Sequence, residues 1–232
     1  MKLSKFLATS GHCSRRKATE LIKSGAVKVK GIVTREPFYE LKEDDTVKVN
    51  NKLIAVQKKL YFLFNKPTDV ICTLSDTKER QTVADFFSNF KERLYPIGRL
   101  DRNTTGALVM TNDGELTQKL SHPKFKISKT YQVTAHKEVS QEALDRLLSG
   151  IKLEDGLMTV DRAIYANQRA KHVVILTIHS GKKHVIKRLF TELRYFVEKL
   201  DRINFAGLTK KDIPLGHYRA LTAKEIATLQ NL

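Results

Sequence analysis

The chain has 232 residues, 42 of them Lys or Arg against 25 Asp or Glu, for a net charge of +17. Hydrophobic residues at 41% and charged residues at 29% exclude a disordered chain and suit one or two folded domains. The longest apolar run, residues 60–64, is too short to cross a membrane, the first ten residues are too polar for a secretory signal, and Cys13 and Cys72 are too few for a disulfide framework or a zinc site. The expected compartment is the reducing cytoplasm. The positive field calls for a polyanionic partner, and no long basic amphipathic helix points to a membrane surface.

In chain order, Leu3, Phe6 and Leu7 lie at helical spacing. Ser14 is an N-cap candidate for a second helix that buries Ala18, Leu21 and Ile22 and ends at Gly25. Val27-Lys28-Val29 and Val47-Lys48-Val49 alternate as short strands, each followed by a polar turn. Residues 1–59 hold fourteen Lys or Arg against six Asp or Glu, almost half of the excess charge in a quarter of the chain. Arg15, Arg16 and Lys17 crowd the first turn of the second helix, where the helix dipole disfavours cations. A phosphate partner offsets that cost; a solvated basic face is the plainer alternative. The run from Leu3 to Ala18, with residues 22–31 after it, resembles an S4 RNA-binding domain, with Val29-Lys30-Gly31 at its usual turn. That resemblance implies docking on folded RNA, ribosomal RNA above all. The S4-like domain is expected over residues 1–57.

Beyond residues 55–59, which read as a linker, the rhythm changes. A buried strand over residues 60–64 stops at Asn65-Lys66-Pro67. A short helix is predicted over 83–87. Strands are predicted over 107–110, 129–135 and 172–179, and helices from Asn112-Asp113-Gly114 through Leu120, then over 141–148, 184–193 and 223–229. Helices and strands mix without regular alternation, which predicts an α+β domain over residues 58–232 with a mainly antiparallel sheet.

Within it lies Gly98-Arg99-Leu100-Asp101-Arg102-Asn103-Thr104-Thr105-Gly106, then Ala107 to Gly114. Two arginines flank one carboxylate on a loop entering a strand, and neighbouring cations favour the charged form of Asp101. An ionised loop carboxylate can act as nucleophile or base. The same residues also fit a turn that Asp101 merely caps through Thr104 or Thr105. The string resembles the catalytic motif of the RsuA/RluB-type ribosomal RNA pseudouridine synthases. Further matches follow in that family's order: Asn65-Lys66-Pro67; Lys129-Thr130-Tyr131-Gln132-Val133; Ser180 to Phe190, with Ser for the usual Glu and Lys187 for the usual Arg; Leu200 to Ile203; and Leu215 to Thr222. They span nearly the whole chain.

The resemblance implies isomerisation of a specific rRNA uridine in a central cleft of a pseudouridine synthase fold. Asp101 would be the nucleophile, and Arg99 would fill the space of the flipped-out base. Tyr131 would stack on the uracil and assist C5 deprotonation, Lys187 would pair with Asp101, and Leu200 would pack under the base. Neither metal nor cofactor is implied, and the histidines, His184 among them, read as surface or RNA contacts. The chain is expected to act as a monomer, on small-subunit rRNA slightly in preference to large-subunit rRNA because of Lys187-Arg188. The rival is a non-catalytic S4-type rRNA-binding or assembly factor. A metal-dependent nuclease would need clustered carboxylates, whereas the acidic pairs fall in turns. Replacing Arg15, Arg16 and Lys17 together with Ala is expected to weaken rRNA binding and flatten its log–log salt dependence by about 0.7–0.9 per lost phosphate contact; titrations from low to moderate salt check this, and an unchanged slope means a solvated face.

Overall fold

The computed structural model describes residues 1–232, in two compact units: Met1–Leu60 with Phe90–Leu94 and Asn112–Gly114, and Tyr61–Asn89 with Tyr95–Thr111 and Glu115–Leu232. In the first, α1 (Leu3–Thr9) and α2 (Arg15–Lys23) pack beside β1 (Val27–Val29), β2 (Ile32–Val33), β3 (Val47–Val49) and β4 (Lys52–Leu53). The strands form an antiparallel sheet in the order β2-β1-β3-β4. Ser14 caps α2 by accepting from the Lys17 amide, which satisfies one of the free amides of the first turn. Leu3, Leu7, Ala18, Ile22 and the valines of β1 and β3 form the core. In this unit Asn112 accepts from Leu60 N–H and donates to Lys58 C=O, both at 2.8 Å, and Lys59 pairs with buried Asp113 at 2.9 Å. The Asn-Asp-Gly turn thus fastens the end of the stretch read as a linker.

The second unit is built on β5 (Tyr61–Lys66), β6 (Tyr95–Pro96), β7 (Thr104–Thr111), α3 (Gly114–Ser121), β8 (Lys129–Ala135), α4 (Gln141–Ser149), β9 (Ile151–Leu153), β10 (Gly156–Met158), β11 (Arg162–Tyr165), β12 (Val173–Ile178), α5 (Val185–Glu192), β13 (Val197–Phe205), β14 (Leu208–Thr209), β15 (Tyr218–Ala220) and α6 (Ala223–Asn231). Its main sheet runs β11-β12-β8-β13-β7-β5-β15, with β14 on β13 and β6 on β7; β9 and β10 form a separate hairpin. All pairings are antiparallel except that of β13 with β7. The α+β class and the mainly antiparallel sheet are as expected. No helix is long and apolar enough to cross a membrane.

The run at β5 is continuous because both its faces are buried. Tyr61 and Leu63 enter the core with Val109, Leu116, Phe205 and Leu229, while Phe62 and Phe64 meet Phe86, Phe87 and Tyr218 in an aromatic cluster on the other face. Two expectations change. Only a single 3₁₀ turn, Asp85–Phe87, stands where a short helix was predicted. Residues 197–205, to which the sequence pattern assigned no strand, form the longest strand, at the sheet's centre. Glu198, Lys199, Asp201 and Arg202 mask its alternation, since a charged side chain in a central strand runs against the usual burial rule.

The parallel pairing sets Arg202 opposite Gly106. Gly106 has φ +114°, and a Cβ there would lie 2.3 Å from the Arg202 carbonyl oxygen and 2.6 Å from its nitrogen. Backbone crowding and left-handed conformation together require glycine. Gly106→Ala is expected to destabilise the fold by about 3 kcal/mol or more, combining backbone strain with overpacking; urea unfolding measures it, and an unchanged midpoint would mean that the two strands can part without cost.

Candidate active site

Asp101 sits on the loop between β6 and β7, and three fastenings hold that loop. The ammonium of Lys66, at the end of β5, is fully buried and donates to the carbonyls of Pro67 at 2.8 Å, Arg102 at 3.1 Å and Thr104 at 2.9 Å. Cys72 Sγ accepts from Leu100 N–H. Asp69 N–H donates to the Arg102 carbonyl, while the Asp69 carboxylate pairs with the Arg102 guanidinium. Arg102 is therefore turned to Asp69; both flanking arginines are exposed and line the cleft, and Arg102 is the one engaged by a carboxylate. Burial pushes the Lys66 ammonium down from 10.5 to about 8, against the opposing pull of Cys72, Asp101 and Asp69.

The loop borders a cleft of about 460 Å³, within the range of small-ligand sites. Arg99, Asp101, Tyr131 and Leu200 all line it. Tyr131 comes from β8 and Leu200 from β13, both buried, so residues distant in sequence converge on one hollow. Seven Lys or Arg side chains line it against two carboxylates, Asp76 and Asp101; Asp76 already pairs with Arg80 at 2.7 Å. The cleft is a cationic bowl with one acid that no lysine or arginine holds. It is suited to an anionic polymer with a reactive group presented to Asp101.

The side chain beside Asp101 is not the one expected. Lys187 is half-buried on α5, does not line the cleft and makes no ion pair with Asp101. Instead His184 Nε2 lies 3.3 Å from Asp101 Oδ1. His184 is the N-cap of α5, in the left-handed region at φ 51°, and it ends a loop from Ser180 that forms one wall. Arg188 is spent on Asp155 through two hydrogen bonds of 3.0 and 3.1 Å. Sequence reasoning placed His184 on the surface because nothing in its neighbours showed that the loop folds back over residue 101. Lys66 was read only as a strand end; a lysine closing a run of buried apolar residues was the available signal. No group of three or more His, Cys, Asp or Glu that could hold a metal ion is present. In the first unit Arg15, Arg16 and Lys17 are exposed on α2, with Lys17 paired to Glu20 at 3.0 Å.

Comparison with known proteins gives the family. Residues 60–192 match a family model described as RNA pseudouridylate synthase, and residues 1–47 match the S4 domain. The chain is 39% identical over its whole length to "Ribosomal large subunit pseudouridine synthase B" of Bacillus subtilis, covering 96% of that protein. It is 32% identical, again over its full length, to "Dual-specificity RNA pseudouridine synthase RluF" of Escherichia coli, covering 79% of it. A crystal structure of a pseudouridylate synthase superposes with a TM-score of 0.71 at 28% identity, covering 99% of both chains.

Lys66→Met removes the donor from three loop carbonyls and is expected to cost about 2 kcal/mol of stability. The cost has a pH signature. With a folded value near 8 and an ordinary value near 10.5, the unfolded chain binds more protons between those limits, so this lysine adds stability as pH rises through the window. The gap between wild type and Lys66→Met in denaturant unfolding should be wider at pH 10 than at pH 7.5; a gap independent of pH would place the ammonium in water.

Proposed function

The chain belongs to the RNA pseudouridylate synthase family, with an S4 domain ahead of the catalytic unit, and on that premise we propose that it isomerises a specific uridine of ribosomal RNA with Asp101 as the nucleophile. One observation carries the reading: Asp101 is the only unpaired-by-arginine carboxylate in a cationic cleft whose walls also supply Tyr131 and Leu200. A stacked uracil is out of reach of a carboxylate in a cleft, so the nucleotide must swing out of its helix. Arg99, exposed at the wall, is suited to fill the vacancy. Tyr131 and Leu200 offer the base an aromatic face and an apolar seat.

The chemistry needs no external electron acceptor. The N1–C1′ bond breaks with its electron pair on the base, Asp101 taking part by nucleophilic attack. The base turns, C5 bonds to C1′ as the Asp101 adduct breaks and returns its electron pair to the carboxylate, and the C5 proton leaves beside Tyr131 while N1 takes one up. His184 keeps the Asp101 carboxylate oriented through the 3.3 Å contact. A redox-neutral isomerisation of this kind calls for no metal or cofactor.

Arg15 and Arg16 at the α2 N-terminus, joined by Lys17 when it leaves Glu20, would grip phosphates and place the substrate without reading bases. The folded domains are assigned to residues 1–57 and 58–232. We take large-subunit rRNA as the substrate: the named relatives above act, by name, on the large subunit or with dual specificity, and this outweighs the small-subunit preference drawn from Lys187-Arg188. Cytoplasmic action as a monomer suffices, since every proposed site residue lies on one chain. An intact set of cleft residues favours the enzyme over the non-catalytic factor.

Asp101→Asn keeps shape and hydrogen bonding but removes the nucleophile, and it should lower single-turnover conversion by several orders of magnitude with little change in RNA affinity. Asp113→Asn, at the buried pair with Lys59, should cost mainly stability. Mapping pseudouridines in rRNA from cells with and without the gene locates the target and decides the subunit. A tenth of the rate surviving in Asp101→Asn, with Asp113→Asn inactive, would move the nucleophile elsewhere.

A further inference from the structure

The cleft floor holds a cation that the scheme above leaves unused. Arg202 is 2% exposed, yet it lines the cleft. Its Nε donates to the Ala107 carbonyl at 2.7 Å, and its guanidinium stacks 4.7 Å from the centre of the Phe205 ring. Nη2 is buried without any hydrogen-bond partner, and no carboxylate pairs with the group. The neighbouring Asp201 is committed to Lys210 at 2.8 Å and to the Thr105 hydroxyl. A desolvated guanidinium with an idle donor is expensive in an isolated fold, and its free valence must be met by something that enters the cleft.

Sheet geometry shows what. Arg202 and Leu200 are two apart on β13 and so share a face. Arg202 is also directly opposite Tyr131 in the antiparallel register with β8, so all three line the same floor. Thr104, opposite Leu200 on β7, adds a buried hydroxyl that also lacks a partner. A cationic donor and a hydroxyl beside an aromatic and an aliphatic residue match the flat edge of a pyrimidine with adjacent C=O and N–H groups. Lys129, two residues before Tyr131, is pushed down to about 8 by burial and by the charge of Arg202. The floor thus carries concentrated positive potential with no anion of its own.

We propose that Arg202 is a catalytic residue whose guanidinium donates to a carbonyl oxygen of the target uracil and carries the charge that develops when the base departs. When N1–C1′ breaks, its electron pair stays on the base and spreads over N1, O2 and O4. A buried cation aimed at O2 or O4 stabilises that anion more than it does the neutral nucleoside. The pair returns to carbon when C5 bonds to C1′, and the floor is restored once C5 has lost its proton and N1 has gained one. The inference rests on the pseudouridine synthase reading.

The test uses an rRNA fragment carrying the mapped uridine, or 2-thiouridine or 4-thiouridine in its place, because sulfur accepts hydrogen bonds poorly. Conversion of the plain fragment by the unaltered enzyme checks the underlying reading separately. In single-turnover kinetics, one thio substitution should slow the unaltered enzyme by about tenfold or more, the size of one charge-assisted hydrogen bond. In Arg202→Lys or Arg202→Gln, the uridine rate should fall and the thio penalty should shrink toward unity. If both thio substrates react as fast as uridine with the unaltered enzyme, the guanidinium serves only the fold or a buried water and the proposal is wrong; this arm needs no variant to fold. A thio penalty that persists at full size in a folded Arg202 variant overturns it equally.

Discussion

An ammonium group taken out of water must place each of its three protons on an acceptor or lose more than its contacts return. Lys66 does so with three main-chain carbonyls, two of which belong to the residues just after Asp101. That constraint fixes the loop more tightly than side-chain packing would, because carbonyls at Arg102 and Thr104 cannot shift without stranding the charge. Position 101 is thereby held relative to β5, a strand buried on both faces. The Asp101 carboxylate rides on a loop, but the loop is tied to a strand buried along its whole length, a way of placing a side chain more accurately than a loop alone allows.

The second organising feature is the one parallel pairing in an otherwise antiparallel sheet. By inserting between β8 and β7, β13 brings Leu200 and Arg202 beside Tyr131 on one side and beside the strand that follows Asp101 on the other. The approach is so close that only glycine fits at 106, and Arg202 Nε closes it with a hydrogen bond to Ala107. The glycine in the strand after Asp101 and the arginine that floors the cleft are thus two halves of one contact, which ties the fold's assembly to that of the cleft.

Charge operates at two scales. Over the whole chain the +17 excess draws a polyanion by long-range attraction, which salt weakens. Inside the cleft the cations act at short range and with less screening. Several of them are already committed: Arg102 to Asp69, Arg80 to Asp76, Lys182 to Asp155. Those that no carboxylate holds include Arg99 and Lys183 at the wall and Arg202 at the floor. Counting basic residues would not separate the two groups; following each donor to its acceptor does.

The amino-acid sequence by itself determined much of this molecule. The capped helix at Ser14, the valine strands of the first unit, the doubly buried strand ending at Lys66 and the motif around Asp101 were legible because each depends on residues close along the chain, through periodicity, capping and turn chemistry. The ordered motifs also carried Asp101, Tyr131 and Leu200 to a common cleft. What the chain could not announce were the pairings between distant segments. The central strand at 197–205 hid behind its charges, because a buried arginine looks polar until its acceptor at Ala107 and its ring partner Phe205 are in place. His184 rather than Lys187 faces Asp101 because a left-handed residue ahead of α5 sets the course of the loop. Such outcomes rest on desolvation and on backbone approach across nearly a hundred residues of sequence. Only the tertiary structure decides them, since burial and partner are properties of the assembled sheet and not of any local string.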